Sequence, residues 1–248
     1  TYEQLLGHGK RQWDIITDFW EIIDASGVPY VLLQGNHDPP KAQRRLMAQL
    51  GVTSKSYFYD LEDDQGVGYA IKVPTPTGKT FCVIAQEWTP GATQLAWAAA
   101  TWGCGDDSPT IGLQHTGIGW TAIQADAANS EGLLFANGHI VSVPFSIKTF
   151  VNPGTGGWSY FNFFSNWQEQ NRWGAGQGIC SNGGNCGLGN TPSDSLGIFY
   201  TVIRISPVEK RVQAWDWSPY WLSRHTPFAF DGNSSLDLPF DFDARYPP

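Results

Sequence analysis

Short apolar runs alternate with helix-type patterns through the first 141 residues, and this alternation restricts the fold more than any other feature. Apolar positions recur at helical spacing over residues 3–25, and the apolar run VPYVLLQ follows at 28–34. Runs of this length that are apolar on both faces are typical of strands covered on both sides of a sheet. The pattern therefore predicts an α/β fold built around a buried sheet.

The same alternation predicts the elements that follow. Further helices are predicted at 40–50, 93–102 and 121–131. Strands are predicted as a pair within 56–73 and then at 80–88, 110–117 and 133–141. These strands are short and separated by helices or turns, as expected for a layered α/β domain.

The texture of the sequence changes after residue 141. Residues 152–196 are rich in Gly, Asn, Ser and aromatic residues, and we expect an irregular insertion there rather than a separate domain. Two β-rich runs within 197–221 flank a charged turn at 207–210, which predicts a β-hairpin. Because the chain has no internal repeat and no low-complexity linker, residues 1–248 are predicted to form a single domain.

Charge and hydropathy limit the expected partners. The formal net charge is -8, and no run of Lys or Arg is longer than a pair. This pattern provides no electrostatic footprint for a phosphate backbone, so nucleic acid is not an expected partner. No apolar run approaches the roughly 18–20 residues that cross a bilayer, so no membrane span is expected.

The cysteines and a glycosylation sequon favour an exported protein. Cys180 and Cys186 lie in a Gly- and Asn-rich loop without His or Asp at metal-ligand spacing, which predicts a small disulfide-closed loop. Cys82 and Cys104 are a second predicted pair, and Asn233 begins an Asn-Ser-Ser sequon. Disulfides and glycosylation both imply secretion, so we expect an extracellular location.

Three histidines follow predicted strands, and their placement is the main functional signal. His37, His115 and His139 come just after apolar runs. A single histidine in such a place is usually a hydrogen-bonded loop residue, and Asn-His-Asp is ordinary turn chemistry. The recurrence favours a shared site, because ligands gather at the carboxyl ends of strands in open α/β sheets. Imidazole nitrogens with amide or carboxylate oxygens suit Zn, Mn or Fe.

Three ordered motifs resemble those of the calcineurin-like metallophosphoesterases. GNHD at 35–38, QHTG at 114–117 and NGHI at 137–140 are similar to that family's third, fourth and fifth motifs. The helix-then-strand approach to GNHD and the Gln-x-x-Trp pattern in TQLAWAAATW also resemble the family. The C-terminal VQAWDWSPY is similar to secreted members, and the resemblance covers most of residues 1–225.

This resemblance implies a fold, an activity and a set of site residues. The implied fold is a layered α/β/β/α sandwich. The implied activity is the hydrolysis of small-molecule phosphate mono- or diesters through a binuclear metal centre. Asn36, His115 and His139 are implied to bind one metal ion, Zn, Mn or Fe. His37 is implied to be the general acid beside the leaving group, and Asp38 is implied to orient the His37 imidazole.

The sequence also departs from the family. The family's first two motifs, Asp-x-His and Gly-Asp-x-x-Asp or Asn, are not found, and Val141 stands where the fifth motif has a second histidine. We expect that an N-terminal segment or a second chain completes the fold, because loss of two central strands exposes apolar faces and unpaired backbone groups. The alternative is that the strands have been lost. Val141 and the absent ligands imply that one metal site is weakened.

Two other functional interpretations stay open. The first is a catalytically degenerate member of the same fold that is used for binding or extracellular assembly, with the aromatic segment 156–174 as a contact surface. The second is a β-rich lectin-like module, which accounts for the 12 tryptophans but not for the three histidines. Near the site, Glu87 and Trp88 are expected to line the pocket or to shape its loop.

Overall fold

A computed structural model describes residues 9–36, 38–63, 66–75, 78–116, 123, 131–137, 145–151, 159–165, 200–218, 223–225 and 235–246. The helices are α1 (Gly9–Ala25), α2 (Pro40–Gln49), α3 (Ala92–Ala100) and α4 (Phe242–Arg245), with 3-10 turns at Val52–Ser54 and Trp102–Gly105. The first strands are β1 (Phe58–Leu61), β2 (Tyr69–Pro74), β3 (Thr80–Ala85), β4 (Thr110–Gln114) and β5 (Gly132–Asn137). The later strands are β6 (Phe145–Val151), β7 (Ser159–Ser165), β8 (Tyr200–Ser206), β9 (Arg211–Ser218), β10 (Ser223–His225) and β11 (Ser235–Pro239).

The main sheet has seven strands in the order β1-β2-β3-β4-β5-β7-β6. Strands β3, β4, β5 and β7 are parallel, and antiparallel strands occupy both sides of this parallel centre. The carboxyl ends of the parallel strands therefore lie at one edge of the sheet. The expectation of an α/β fold is confirmed at the level of mixed helices and strands.

A smaller sheet is built on β9, which pairs with β8, β10 and β11. Strands β8 and β9 form the hairpin that the sequence predicts, with the turn at Pro207–Lys210. Val212 and Ala214 of β9 pack with Leu133 and Leu134 of β5 in a buried cluster that joins the two sheets. The hairpin therefore covers part of the main sheet.

Other clusters cover the main sheet with helices. Ala98 of α3 packs with Ile84 and Phe135, and the ring of Trp102 stacks on Phe135 with a centroid distance of 5.5 Å. A disulfide joins Cys82 on β3 to Cys104 beyond α3, as expected from the sequence. The Cys180–Cys186 pair, the Asn233 sequon and most of the predicted 121–131 helix lie outside the described residues.

The prediction of a strand at 28–34 is wrong, because these residues pair with no strand in the described parts of the chain. Side chains take the backbone groups that a neighbouring strand would otherwise bind. The N–H of Leu32 donates to the Tyr69 hydroxyl at 2.6 Å, and the Leu32 carbonyl accepts from Gln43 Nε2 at 3.1 Å. Leu32 itself is buried with Leu46 of α2, so the segment is packed although it is not a strand.

The insertion predicted at 152–196 needs a second correction. Residues Ser159–Ser165 form β7, which lies between β5 and β6 in the main sheet. The sequence SYFNFFS is rich in aromatic residues, which favour strands, and the Gly-rich surroundings hid this local signal. The rest of the segment lies outside the described residues.

None of the helices in the described part of the chain combines the length and apolar character needed to cross a bilayer.

Candidate metal centre

The GNHD motif forms a tight turn that is closed by its own first and last residues. The Asp38 N–H donates to the Gly35 carbonyl at 3.1 Å, and the Gly35 N–H donates to Asp38 Oδ2 at 2.8 Å. These reciprocal bonds hold Asn36 at the exposed tip of the turn. Pro40 starts α2 directly behind the turn, where its missing N–H costs nothing. His37 lies outside the described residues, so its proposed pairing with Asp38 stays a prediction.

The turn brings Asn36 to His115, which follows β4. Asn36 Oδ1 and His115 Nε2 are 3.2 Å apart, although the residues are 79 positions apart in sequence. Two donor atoms that hold one metal ion at about 2.0–2.2 Å, with tetrahedral to octahedral angles, lie about 3–3.5 Å from each other. The observed separation therefore fits a shared ion. It equally fits a direct hydrogen bond from the imidazole N–H to the amide oxygen.

Strand β5 ends beside β4, as the prediction of His139 as a third ligand requires. Asn137, the last residue of β5, pairs with Gln114, the last residue of β4, so the two parallel strands end together. His115 follows Gln114 directly, and His139 comes two residues after Asn137. His139 and Val141 lie outside the described residues, so the ligand role of His139 stays a prediction.

Buried polar side chains hold a second loop against the turn. Gln34 Nε2 donates to the Asp38 carbonyl at 3.0 Å, and Gln34 Oε1 accepts from the Trp88 N–H at 3.2 Å. Gln114 Nε2 donates to the Glu87 carbonyl at 3.3 Å, and Thr116 Oγ1 donates to the Trp88 carbonyl at 3.2 Å. Because Gln34, Gln114 and Thr116 are buried, the loop at 87–88 is fixed relative to both Asn36 and His115.

This loop forms the wall of a cavity beside the two predicted ligands. The indole of Trp88 lies 5.5 Å from the His115 ring, centroid to centroid, at an angle of 57°. The cavity has a volume of about 300 Å³. Its lining residues come from the turn and the loop: Gln34, Gly35, Asn36, Asp38, Pro39, Pro40, Glu87, Trp88 and Thr89. The expectation that Glu87 and Trp88 line the pocket is confirmed.

Gly35 keeps this side of the cavity open. A Cβ atom at position 35 would lie 3.0 Å from Asp38 Oδ2 and 3.7 Å from His115 Cε1. A Cβ atom at position 35 would therefore press on the carboxylate that closes the turn, and it would lie in van der Waals contact with the imidazole.

Within the described residues, no three His, Cys, Asp or Glu side chains form a group that could hold a metal ion. These residue types do not include amide oxygens such as Asn36 Oδ1. His37 and His139 also lie outside the described residues. The pair formed by Asn36 and His115 is therefore the part of the predicted centre that the structure brings together.

Comparison with known proteins finds no matching family model, no similar curated protein and no similar solved structure. The geometry of the cavity and of the Asn36–His115 pair therefore carries the functional argument.

Sequence reasoning missed the buried glutamines around the site. Gln34, Gln86 and Gln114 each end an apolar run and lie one or two positions before a polar residue of the site, namely Asn36, Glu87 and His115. All three are buried, and two of them hold the loop at 87–88. The repeated glutamine at the end of these runs was the signal that could have identified them, because a buried amide must find hydrogen-bond partners.

An unusual carboxyl group lies behind the loop. Burial and, to a smaller extent, the negative charge of Glu87 raise the pKa of Glu62 to about 7. Glu62 Oε2 accepts from the Gly68 N–H at 3.2 Å, whereas Oε1 is buried without a hydrogen-bond partner among the described residues. The folded protein therefore retains this proton at pH values where the unfolded chain has lost it.

We expect Glu62 to make the protein less stable as the pH rises. Between its ordinary value of 4.5 and about 7, the folded state binds more protons than the unfolded state, so the free energy of unfolding falls with rising pH. Because Glu62 is only half-buried, solvent screening limits the effect to about 1–2 kcal/mol. Urea unfolding of the parent protein and of Glu62→Gln at pH 5 and pH 8 measures it.

The substitution Glu62→Gln should remove this part of the pH dependence, and the matched control Glu209→Gln should keep it. Glu209 is exposed on the β8–β9 turn and pairs with Arg204. Equal pH slopes for the parent and Glu62→Gln would contradict the assignment.

Proposed function

We propose that this protein is an exported, metal-dependent phosphoesterase of the calcineurin-like class that hydrolyses phosphate mono- or diesters. One observation carries the proposal: Asn36 Oδ1 and His115 Nε2 meet at 3.2 Å at the carboxyl edge of the parallel strands. These are two of the three ligands that the sequence resemblance implies for one metal ion. The buried Cys82–Cys104 disulfide supports export, since disulfides persist in oxidising compartments.

In this proposal each residue of the site has a separate role. Asn36, His115 and His139 would hold the metal, which would polarise a phosphoryl oxygen and lower the pKa of a water molecule there. His37 donates a proton to the departing alkoxide. Asp38 closes the turn by accepting from the Gly35 N–H, which holds Asn36 in place. The buried Gln34 keeps the turn in register with the Trp88 loop.

A second candidate function has its own support. Val141 replaces a histidine of the fifth motif, and a side chain without a donor atom cannot bind metal. This observation favours a protein of the same fold that retains binding but has lost hydrolysis. In that case the cavity beside Trp88 is a ligand site without turnover.

The proposals differ in metal content and turnover. The purified protein is dialysed against Zn²⁺, Mn²⁺ or Fe²⁺, and the bound metal is measured by mass spectrometry. Hydrolysis of p-nitrophenyl phosphate and of bis(p-nitrophenyl) phosphate is then followed, with EDTA as the control. We expect stoichiometric metal and EDTA-sensitive hydrolysis of at least one ester. Bound metal without hydrolysis would favour the second candidate. A protein that binds no metal and hydrolyses neither ester would exclude the enzyme.

A further inference from the structure

Two carboxylate side chains line the cavity beside Asn36. They belong to Asp38 and Glu87, and no Lys or Arg is among its lining residues. Across the described part of the chain, neither carboxylate takes part in an ion pair. The cavity therefore attracts positive charge and repels anions other than one neutralised by a metal ion.

The carboxylate of Glu87 acts on its surroundings. Its negative charge raises the pKa of the neighbouring Glu62 in addition to the effect of burial. The same charge would attract a cation placed in the cavity.

The remaining lining suits an organic cation better than a small hydrated one. Trp88 provides an indole ring, and Pro39 and Pro40 provide apolar surface. Indole attracts ammonium groups through its π-system, and proline rings pack against methyl or methylene groups. A hydrated metal ion would use the carboxylates alone. The cavity, at about 300 Å³, is at the lower end of the range for small-molecule sites.

We infer that this cavity binds an organic ammonium group through Glu87 and Trp88. The inference rests on the proposed function for its biochemical meaning: the substrate is a phosphate ester whose alcohol part carries the ammonium group. In such a substrate the phosphate lies at Asn36 and His115, and the cation lies in the adjacent cavity.

Two isosteric esters test the inference. They are p-nitrophenyl phosphodiesters whose second alcohol is either the 2-(trimethylammonio)ethyl or the 3,3-dimethylbutyl group, which differ in charge but hardly in shape. We expect the metal-loaded protein to have about a tenfold higher kcat/KM for the cationic ester. The substitutions Glu87→Gln and Trp88→Leu should each reduce this ratio severalfold. The control Glu209→Gln, on the exposed hairpin turn, should leave the ratio unchanged.

Equal kcat/KM values for the two esters would overturn the inference and leave the proposed function standing. If neither diester is hydrolysed, turnover of p-nitrophenyl phosphate decides the proposed function, and calorimetric titration with tetramethylammonium chloride against sodium chloride decides the cavity separately. Heat of binding that Glu87→Gln and Trp88→Leu abolish supports the ammonium site. No binding by the parent protein overturns it. Thermal unfolding of each variant verifies that the fold is retained.

Discussion

Replacing His115 with alanine should abolish metal binding and lower phosphoester turnover by more than about 100-fold. Loss of a residue that only supports a metal ligand typically costs 10–100-fold, so loss of a ligand itself should cost more. The expectation follows from the 3.2 Å approach of His115 Nε2 to Asn36 Oδ1. Metal content by mass spectrometry and turnover of bis(p-nitrophenyl) phosphate measure it directly.

A second substitution separates metal binding from a hydrogen bond between the two side chains. His115→Gln retains an N–H group that can reach Asn36, but it removes the imidazole nitrogen. If the pair holds a metal ion, alanine and glutamine variants should lose it alike. If the pair is only a hydrogen bond, the glutamine variant should behave like the parent protein, and our assignment of a metal ligand would be wrong. Gln49→Ala, an exposed change on α2, is the matched control.

The Cys82–Cys104 disulfide should contribute more to stability than any other single feature we consider. It joins buried residues across a sequence separation of 22. Loop-closure entropy for a loop of this length corresponds to about 3 kcal/mol. Cys82→Ala/Cys104→Ala should therefore lower the free energy of unfolding by about this amount and the Tm by roughly 6–12 °C for a protein of this size.

Guanidinium unfolding with and without reductant tests this expectation. Reductant should bring the parent protein close to the double variant, and its effect on the variant reports separately on Cys180 and Cys186. The substitution Ser54→Ala, at an exposed 3-10 turn, serves as a control that should shift stability by a much smaller amount. A double variant that unfolds with the parent's free energy would show that the bond is structurally dispensable.

Local pattern predicted most of the elements near the site. The strand at 110–117 is found as Thr110–Gln114, the strand at 80–88 as Thr80–Ala85, and the helix at 93–102 as Ala92–Ala100. The structure shortens the strands at the carboxyl end, where residues such as Glu87 and His115 leave the ladder for the site.

The segment at 28–34 shows the limit of local pattern. Its composition is that of a strand, but strand formation needs a neighbour with matching backbone groups. In the structure the Tyr69 hydroxyl and the Gln43 amide bind the backbone of Leu32 instead. Those two side chains come from β2 and α2, so their proximity depends on how the elements pack.

By itself, the sequence determined that the chain forms a mixed α/β protein, that Cys82 pairs with Cys104, and that polar residues follow successive apolar runs. These features depend on composition and on short spacings. Only the tertiary structure decided that Asn36 meets His115 and that buried glutamines clamp the Trp88 loop against them. The physical reason is that such contacts join residues tens of positions apart, and their geometry depends on the register of parallel strands and on side-chain hydrogen bonds.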